Sequence, residues 1–252
     1  MSEETEDERW ERLSRDRIHR PLPKRFYKSV AVTDQLGIAL DGRSVKTPLK
    51  AALVLPTRPL AEAVAAEWDA QVDVINPHAM PLTKLANTAL DRAIPEKSKI
   101  AAEILEFAGS DMICYRAESP AGLVRRQLTH WDPIIAWARK DLGAGFETVS
   151  SIIHRRQSPA ALQALNAAIM SLNSFSFVAV HNLTTLTGSA LLATMLATGK
   201  IQADAAWLAA NVDEDWQIAT WGEDAEAMAR RARRLEEFSA SVKFADLARG
   251  QS

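Results

Sequence analysis

The chain has 252 residues, 47% of them apolar, and 30 Lys and Arg against 32 Asp and Glu give a formal net charge of −2. That size suits one large or two small domains, the apolar fraction excludes global disorder, and the near-neutral charge argues against nucleic acid or an anionic membrane as the main partner. The single cysteine, Cys114, permits no internal disulfide, and its setting Asp111-Met112-Ile113-Cys114-Tyr115 points to an inert buried thiol in a reducing compartment.

The first eleven residues hold six acids and one Arg. A mitochondrial transit peptide is Arg-rich and acid-poor, and a secretory signal carries an apolar stretch. The leader therefore predicts a cytoplasmic protein. Within residues 1–20, Trp10, Leu13 and Arg17 share one helical face, which fits either a short docked helix or a frayed tail.

From Phe26 the period changes to two. Phe26 to Val32 alternates, Gly37 to Leu40 comes after a polar turn, Asp41-Gly42 signals a hairpin, and Ala52 to Leu55 reads as a further short strand. A small antiparallel sheet of this kind needs a covering layer. The next segment supplies it: Thr57 is placed to cap a helix over Arg58 to Val72, whose Leu60, Val64, Trp68 and Val72 form an apolar stripe with Trp68 as its largest buried side chain. A second helix is predicted from Leu82 to Arg92, isolated by Pro77 and Pro81, and a soft domain boundary falls between Arg92 and Pro95.

Beyond it the pattern is helical. Pro95 and Gly109 bracket one helix, and Ser119-Pro120 and Ser158-Pro159 repeat a start signal of a capping hydroxyl next to Pro. Leu123, Gln127, Leu128, Trp131, Ile134, Ile135, Ala138 and Leu142 keep helical spacing, with Pro133 expected to break or kink the run and Asp132 to cap the helix that resumes there. Gln157 to Gly199 contains no Asp, Glu, Lys or Arg. Ser176, His181, Asn182 and several threonines interrupt it, so it reads as the central element of a soluble helical bundle, not a membrane span. The expected fold is α+β: a charged leader over 1–20, a β-rich domain with covering helices over 21–93, and a larger helical bundle over 94–252.

The last part is the most polarised. Asp213-Glu214-Asp215 and Glu223-Asp224-Glu226 precede Arg230-Arg231 and Arg233-Arg234. Acids early and bases late suit the helix dipole, while Trp216 and Trp221 among those acids also fit a partner-binding surface. Catalytic patterns are scarce. Gly199-Lys200 is succeeded by Ile201 and lacks the leading glycine of a phosphate loop, and no zinc-ligand spacing occurs. The best catalytic pairing is His130 with Asp132, near Ser119 and Ser110, but residues two apart lie on different helix faces. His181 reads as a hydrogen-bonded buried histidine, and the Arg pairs at 125–126, 155–156 and 230–231 lack the interleaved aromatics of a nucleic-acid face.

Several motifs in order carry a family resemblance: Lys24-Arg25-Phe26-Tyr27-Lys28, Leu40-Asp41-Gly42-Arg43 with Thr47-Pro48, and Glu67-Trp68-Asp69-Ala70-Gln71. Met80-Pro81-Leu82-Thr83-Lys84-Leu85-Ala86-Asn87, Asp111 to Arg116, and Trp131-Asp132-Pro133 continue it. Over roughly Lys24 to Arg234 the chain resembles the alpha-subunit-specific assembly chaperones of the F-type ATP synthase catalytic head, known from mitochondria and alphaproteobacteria. The acidic leader in place of a targeting peptide points to a bacterial member. The resemblance implies a non-enzymatic protein without cofactor or metal, whose partner is the unassembled alpha subunit rather than nucleic acid or membrane. It also implies an acidic position in the C-terminal helical part that matters for partner function. The matching region is Asp213 to Glu226, where the resemblance does not fix the acid. Glu214 is placed first, with Asp213, Glu223 and Trp216 beside it, and Trp68 and Trp131 are read as structural. The rival reading is a small hydrolase using His130 and Asp132.

Overall fold

The computed structural model describes residues 22–150 and 155–249. The acidic leader, with Trp10, Leu13 and His19, and the segment holding His154 lie outside them. Three short strands form the sheet: β1 (Val30–Val32), β2 (Ile38–Leu40) and β3 (Arg43–Ser44), antiparallel in that order. Val30 pairs with Leu40, Val32 with Ile38, and Leu40 with Arg43. The Asp41-Gly42 hairpin forms as its sequence requires, both residues having positive φ (46° and 77°). The Asp41 carboxylate also accepts from the Lys28 and Ser29 amides, which hold it below the usual carboxylate range.

One predicted strand is shorter than expected and another does not form. At 26–29 the chain turns to the end of the first helix instead of pairing. Tyr27 is buried and its hydroxyl donates to the Trp68 carbonyl at 2.6 Å, while Phe26 is 75% exposed. Residues 52–55 make isolated bridges only, Ala52 to Lys46 and Val54 to Gly37. This segment splits its hydrogen bonds between Val45 and residues 36–38, so neither ladder can extend.

Helix α1 (Arg58–Asp69) starts at the predicted cap, with Thr57 Oγ1 accepting from the Leu60 amide. It stops earlier than the periodicity suggested. Leu60 and Val64 are buried and Trp68 is half-buried, but Val72 is 79% exposed. Gln71 turns inward in its place, donating to the Glu67 carbonyl and accepting from the Asn76 amide. Helix α2 (Pro81–Thr88) passes through a widened turn (Ala89–Ala93) into α3 (Ile94–Gly109), which is kinked at Glu96 (φ −118°, ψ 22°), directly after the predicted boundary region. Asp91, in the widened turn, accepts from Thr47 Oγ1 and the Leu49 amide, tying the sheet to the helices.

Helix α4 (Ala121–Asp141) runs through Pro133 as one element. Neither the break nor the cap at Asp132 is observed: Asp132 lies inside the helix and pairs with Arg116 at 2.9 Å. Ser119 does not cap it either, since Pro120 occupies the cap position, whereas Ser158 caps α5 (Pro159–Met170) as expected. The uncharged stretch holds α5 and then α6 (Ser174–Thr187) and α7 (Ala190–Ala197), the last two separated at Gly188, whose φ of 70° favours glycine. Every residue of α7 is buried, and α6 packs against helices on several sides. Two short helices, α8 (Ala203–Ala210) and α9 (Val212–Trp221), lead into α10 (Ala225–Arg249).

Helix α10 lies along α6, with Asn182 donating to Ser241 and the Phe175 and Phe244 rings 6.1 Å apart. It reaches the sheet end as well, where Thr57 Oγ1 donates to the Leu247 carbonyl. One buried apolar cluster therefore runs from Tyr27 and Ile38 through Ile104 and Phe177 to Ala248. The architecture is α+β, a small antiparallel sheet on a mostly helical body. Among the described residues no helix is long and apolar enough to cross a membrane.

Candidate partner-binding site

Helix α9 starts with three consecutive acids, which suits the positive end of its dipole. A helix turns about 100° per residue, so the three carboxylates cannot all share one destination. Glu214 and Asp215 face α10. Arg234 pairs with Glu214, and Arg231 pairs with Asp215 and lies 3.7 Å from Glu214. Both guanidinium groups also sit over the Trp207 ring, at 5.7 and 5.6 Å. The acid placed first in the sequence is thus part of a bracket holding α9 to α10.

Asp213 faces the other way, accepting a hydrogen bond from Gln127 Nε2 at 2.8 Å. Gln127 is 3% exposed, and its carbonyl oxygen accepts from the Ala117 amide at 2.8 Å. One turn later, Trp216 lies against Gly122 at the start of α4. A Cβ at Gly122 would sit 2.5 Å from the indole, so only glycine permits this approach. Arg126 stacks over the same ring at 5.2 Å.

Between the 115–120 segment, the start of α4 and α9 lies an open cleft of about 1010 Å³. Leu123, Pro120, Trp216 and Trp221 give it apolar walls, and its charged lining is Glu118, Asp213 and Arg116, the last paired with Asp132. Trp221 is 77% exposed, an unusual position for so large a ring. Across Trp216 a second pocket of about 440 Å³ is lined by Gly122, Arg125, Arg126, Thr129 and His130. Trp216 thus divides an aromatic cleft of mixed charge from a basic pocket. Of the predicted surface residues, Asp213 and Trp216 meet at the cleft. Glu214 is committed to α10, and Glu223 is exposed in the connection before α10 and does not line the cleft.

The two tryptophans read as structural differ. Trp131 is 1% exposed and donates to the Ala209 carbonyl at 2.8 Å. Trp68 is half-buried, packs on Tyr27 at 5.9 Å between ring centres, and lines two small surface pockets.

His130 and Asp132 do not form a pair. His130 faces the basic pocket, while Asp132 is held by Arg116 and lines a separate pocket. Among the described residues no cluster of His, Cys, Asp or Glu is arranged to hold a metal. Burial pushes the Cys114 thiol up to about 12, leaving it protonated and unreactive at neutral pH. His181 is hydrogen-bonded to Glu103 at 3.1 Å, half-buried rather than fully enclosed.

Two carboxylates have long-range roles that the sequence does not display. Glu67 accepts from the Leu82 and Thr83 amides and so caps α2 from another helix; its desolvation raises its pKa. Asp111 is fully buried, accepts from the Ile113 and Leu191 amides, and is pushed up to about 6 by desolvation.

Residues 24–139 match the family model described as ATP12 chaperone protein. The chain is 26% identical over 221 residues to the mitochondrial atp12 protein of Schizosaccharomyces pombe, covering 80% of this chain and 76% of that one. Two solved structures share the fold over nearly the whole chain. A candidate chaperone from Agrobacterium tumefaciens is 41% identical with a TM-score of 0.84, covering 93% of this chain and 89% of that one. Atp12 of Paracoccus denitrificans is 39% identical with a TM-score of 0.84, covering 90% of this chain and 98% of that one. With that identity spanning almost the full length of a solved Atp12, this chain belongs to the ATP12 chaperone family.

Proposed function

We propose that this protein is an assembly chaperone of the F-type ATP synthase that binds the unassembled alpha subunit in a bacterial cytoplasm, covers its beta-facing surface, and leaves when beta arrives. The observation that carries the reading is the cleft at Trp216, an aromatic recess with polar edges in a member of a chaperone family. Large apolar surface on a lone subunit is an aggregation hazard, and covering it is a non-enzymatic task that needs no cofactor. A chaperone of this kind must hold its client and then yield it. An interface with a few aromatic anchors and a polar rim meets both demands better than an extended apolar face. Trp216, Trp221 and Asp213 are the residues assigned to that contact, with Gln127 positioning Asp213. Glu214 acts indirectly, by fixing α9 on α10 so that Trp216 faces the cleft.

Co-expression of this chain with the alpha subunit of the same organism, then affinity capture and sizing, tests the reading. A soluble complex that dissociates on addition of beta is expected. Alpha that precipitates unchanged beside an equimolar amount of this protein would overturn it.

A further inference from the structure

We infer that the segment of the partner bound at Trp216 carries an acidic side chain next to a large apolar one, the carboxylate entering the basic pocket and the apolar group the aromatic cleft. This rests on the reading of the protein as a chaperone with its contact surface at Trp216, and adds the chemistry of the bound segment.

Arg125 and Arg126 are exposed, and neither forms an ion pair among the described residues. Two acids of α4 and α9 are engaged elsewhere: Asp213 accepts from Gln127, and Asp132 is held by Arg116. Glu118 and Asp213 line the aromatic cleft, and no acid lines the basic pocket. Its charge is therefore not neutralised locally, which favours an anionic ligand. Arg126 lies over the Trp216 face, an arrangement that keeps a guanidinium in place while its N–H edge stays free for a carboxylate. His130 adds a ring nitrogen on the same wall, while the Thr129 hydroxyl donates to the Arg125 carbonyl and keeps only its acceptor side free.

The second half of the recognition comes from continuity. The Trp216 ring faces both recesses, so a chain lying across it places neighbouring side chains on its two sides. Successive side chains of an extended segment alternate in direction. Leu123, Pro120 and Trp221 offer apolar contact only on the cleft side, and Arg125 and Arg126 offer unpaired positive charge only on the other. Free phosphate satisfies only the basic side, and a long uniform polyanion has no apolar group for the cleft.

The test uses the full chain, the double variant Arg125→Glu with Arg126→Glu, and a charge-matched control, Arg43→Glu with Arg233→Glu, also at exposed positions. Two probes are titrated: purified alpha subunit, and labelled twelve-residue peptides in which Leu-Phe comes after either three aspartates or three lysines. The aspartate peptide is expected to bind the native chain at least 10-fold more tightly than the lysine peptide and to weaken with salt. It should lose at least 10-fold in the double variant and less than 2-fold in the control, and alpha should show the same order. Equal binding of the two peptides, or equal binding by the native chain and the double variant, would overturn the inference. So would tighter binding of a single-stranded RNA of similar charge. If the aspartate peptide behaves as expected but alpha is not captured, the inference about ligand chemistry stands and the identity of the client falls. If alpha is captured equally by all three proteins, the client stands and the inference falls.

Discussion

Gln127 and Asp213, 86 residues apart in the chain, share a 2.8 Å hydrogen bond that joins the middle of the structure to its C-terminal part. The same Gln127 amide accepts from Ala117, so one side chain fixes three walls of the cleft: the 115–120 segment, α4 and α9. Gln127→Ala should cost about 1–3 kcal/mol, because the Ala117 amide is left without its acceptor and Asp213 without its donor. In a double-mutant cycle with Asp213→Ala, urea midpoints should show a coupling of roughly 1 kcal/mol. Strictly additive effects would mean that the bond does not hold the walls together.

Glu214 and Trp216 separate stability from binding. Glu214→Lys places a third cation against Arg231 and Arg234 and removes their shared acceptor. It should lower stability by roughly 2–3 kcal/mol, read as a fall in thermal midpoint. Trp216→Ala removes a half-buried ring, so its larger effect should be on capture of the alpha subunit, with most of the affinity lost. Equal loss of affinity in both variants at a temperature where both are folded would place Glu214 in the contact itself.

Much of the local structure is legible in the sequence. Thr57 and Ser158 cap the helices they precede, and Asp41-Gly42 turns the hairpin, because each needs only its immediate neighbours. Where the sequence misled, a distant group decided the outcome. Val72 continues the stripe of Leu60 and Val64, yet Gln71 is buried in its place because Glu67 and Asn76 supply backbone partners for its amide. Asp132 has the position of a cap before Pro133, but Arg116 claims it and the helix continues. At the cleft, Trp216 and Asp213 stand out in the sequence as an aromatic among acids. The contribution of Gly122, Gln127 and Arg126 has no sequence signal, since it depends on α4 crossing α9.

Gly122 provides a direct probe of that crossing. A methyl group there would lie 2.5 Å from Trp216 Cη2, well inside van der Waals contact. Gly122→Ala must therefore displace the indole or α9, although alanine itself favours the helix by about 1 kcal/mol. The expected result is a protein of near-native helicity with altered Trp216 fluorescence and weakened capture of alpha. In a Trp216→Ala background the same substitution should become neutral or stabilising. Unchanged destabilisation in that background would show that the contact is not the cause.

Asp111 makes a prediction about pH with a definite sign. Its carboxyl is pushed up to about 6 in the folded protein from an ordinary value of 3.8, because it is fully buried while serving backbone amides of α7 and the 111–115 segment. An acid whose folded value is raised holds its proton longer in the folded state. Its stabilising contribution is complete below about 3.8, falls as pH rises through 6, and levels off above it. The full change is on the order of 3 kcal/mol. Asp111→Asn removes the titration but turns an amide N–H toward a backbone donor, so the variant should be less stable than the native chain at every pH. The gap should be widest near pH 4 and narrow toward pH 7, because only the native protein carries the Asp111 titration, while the raised Glu67 is common to both. Comparing the two proteins cancels the opposite contribution of Asp41, whose value is lowered by its bonds to Lys28 and Ser29. Urea unfolding of both at half-unit steps from pH 4 to pH 7 provides the measurement. A gap that stays constant, or widens toward neutral pH, would mean that Asp111 is ionised in the folded protein throughout and that its amide partners outweigh burial.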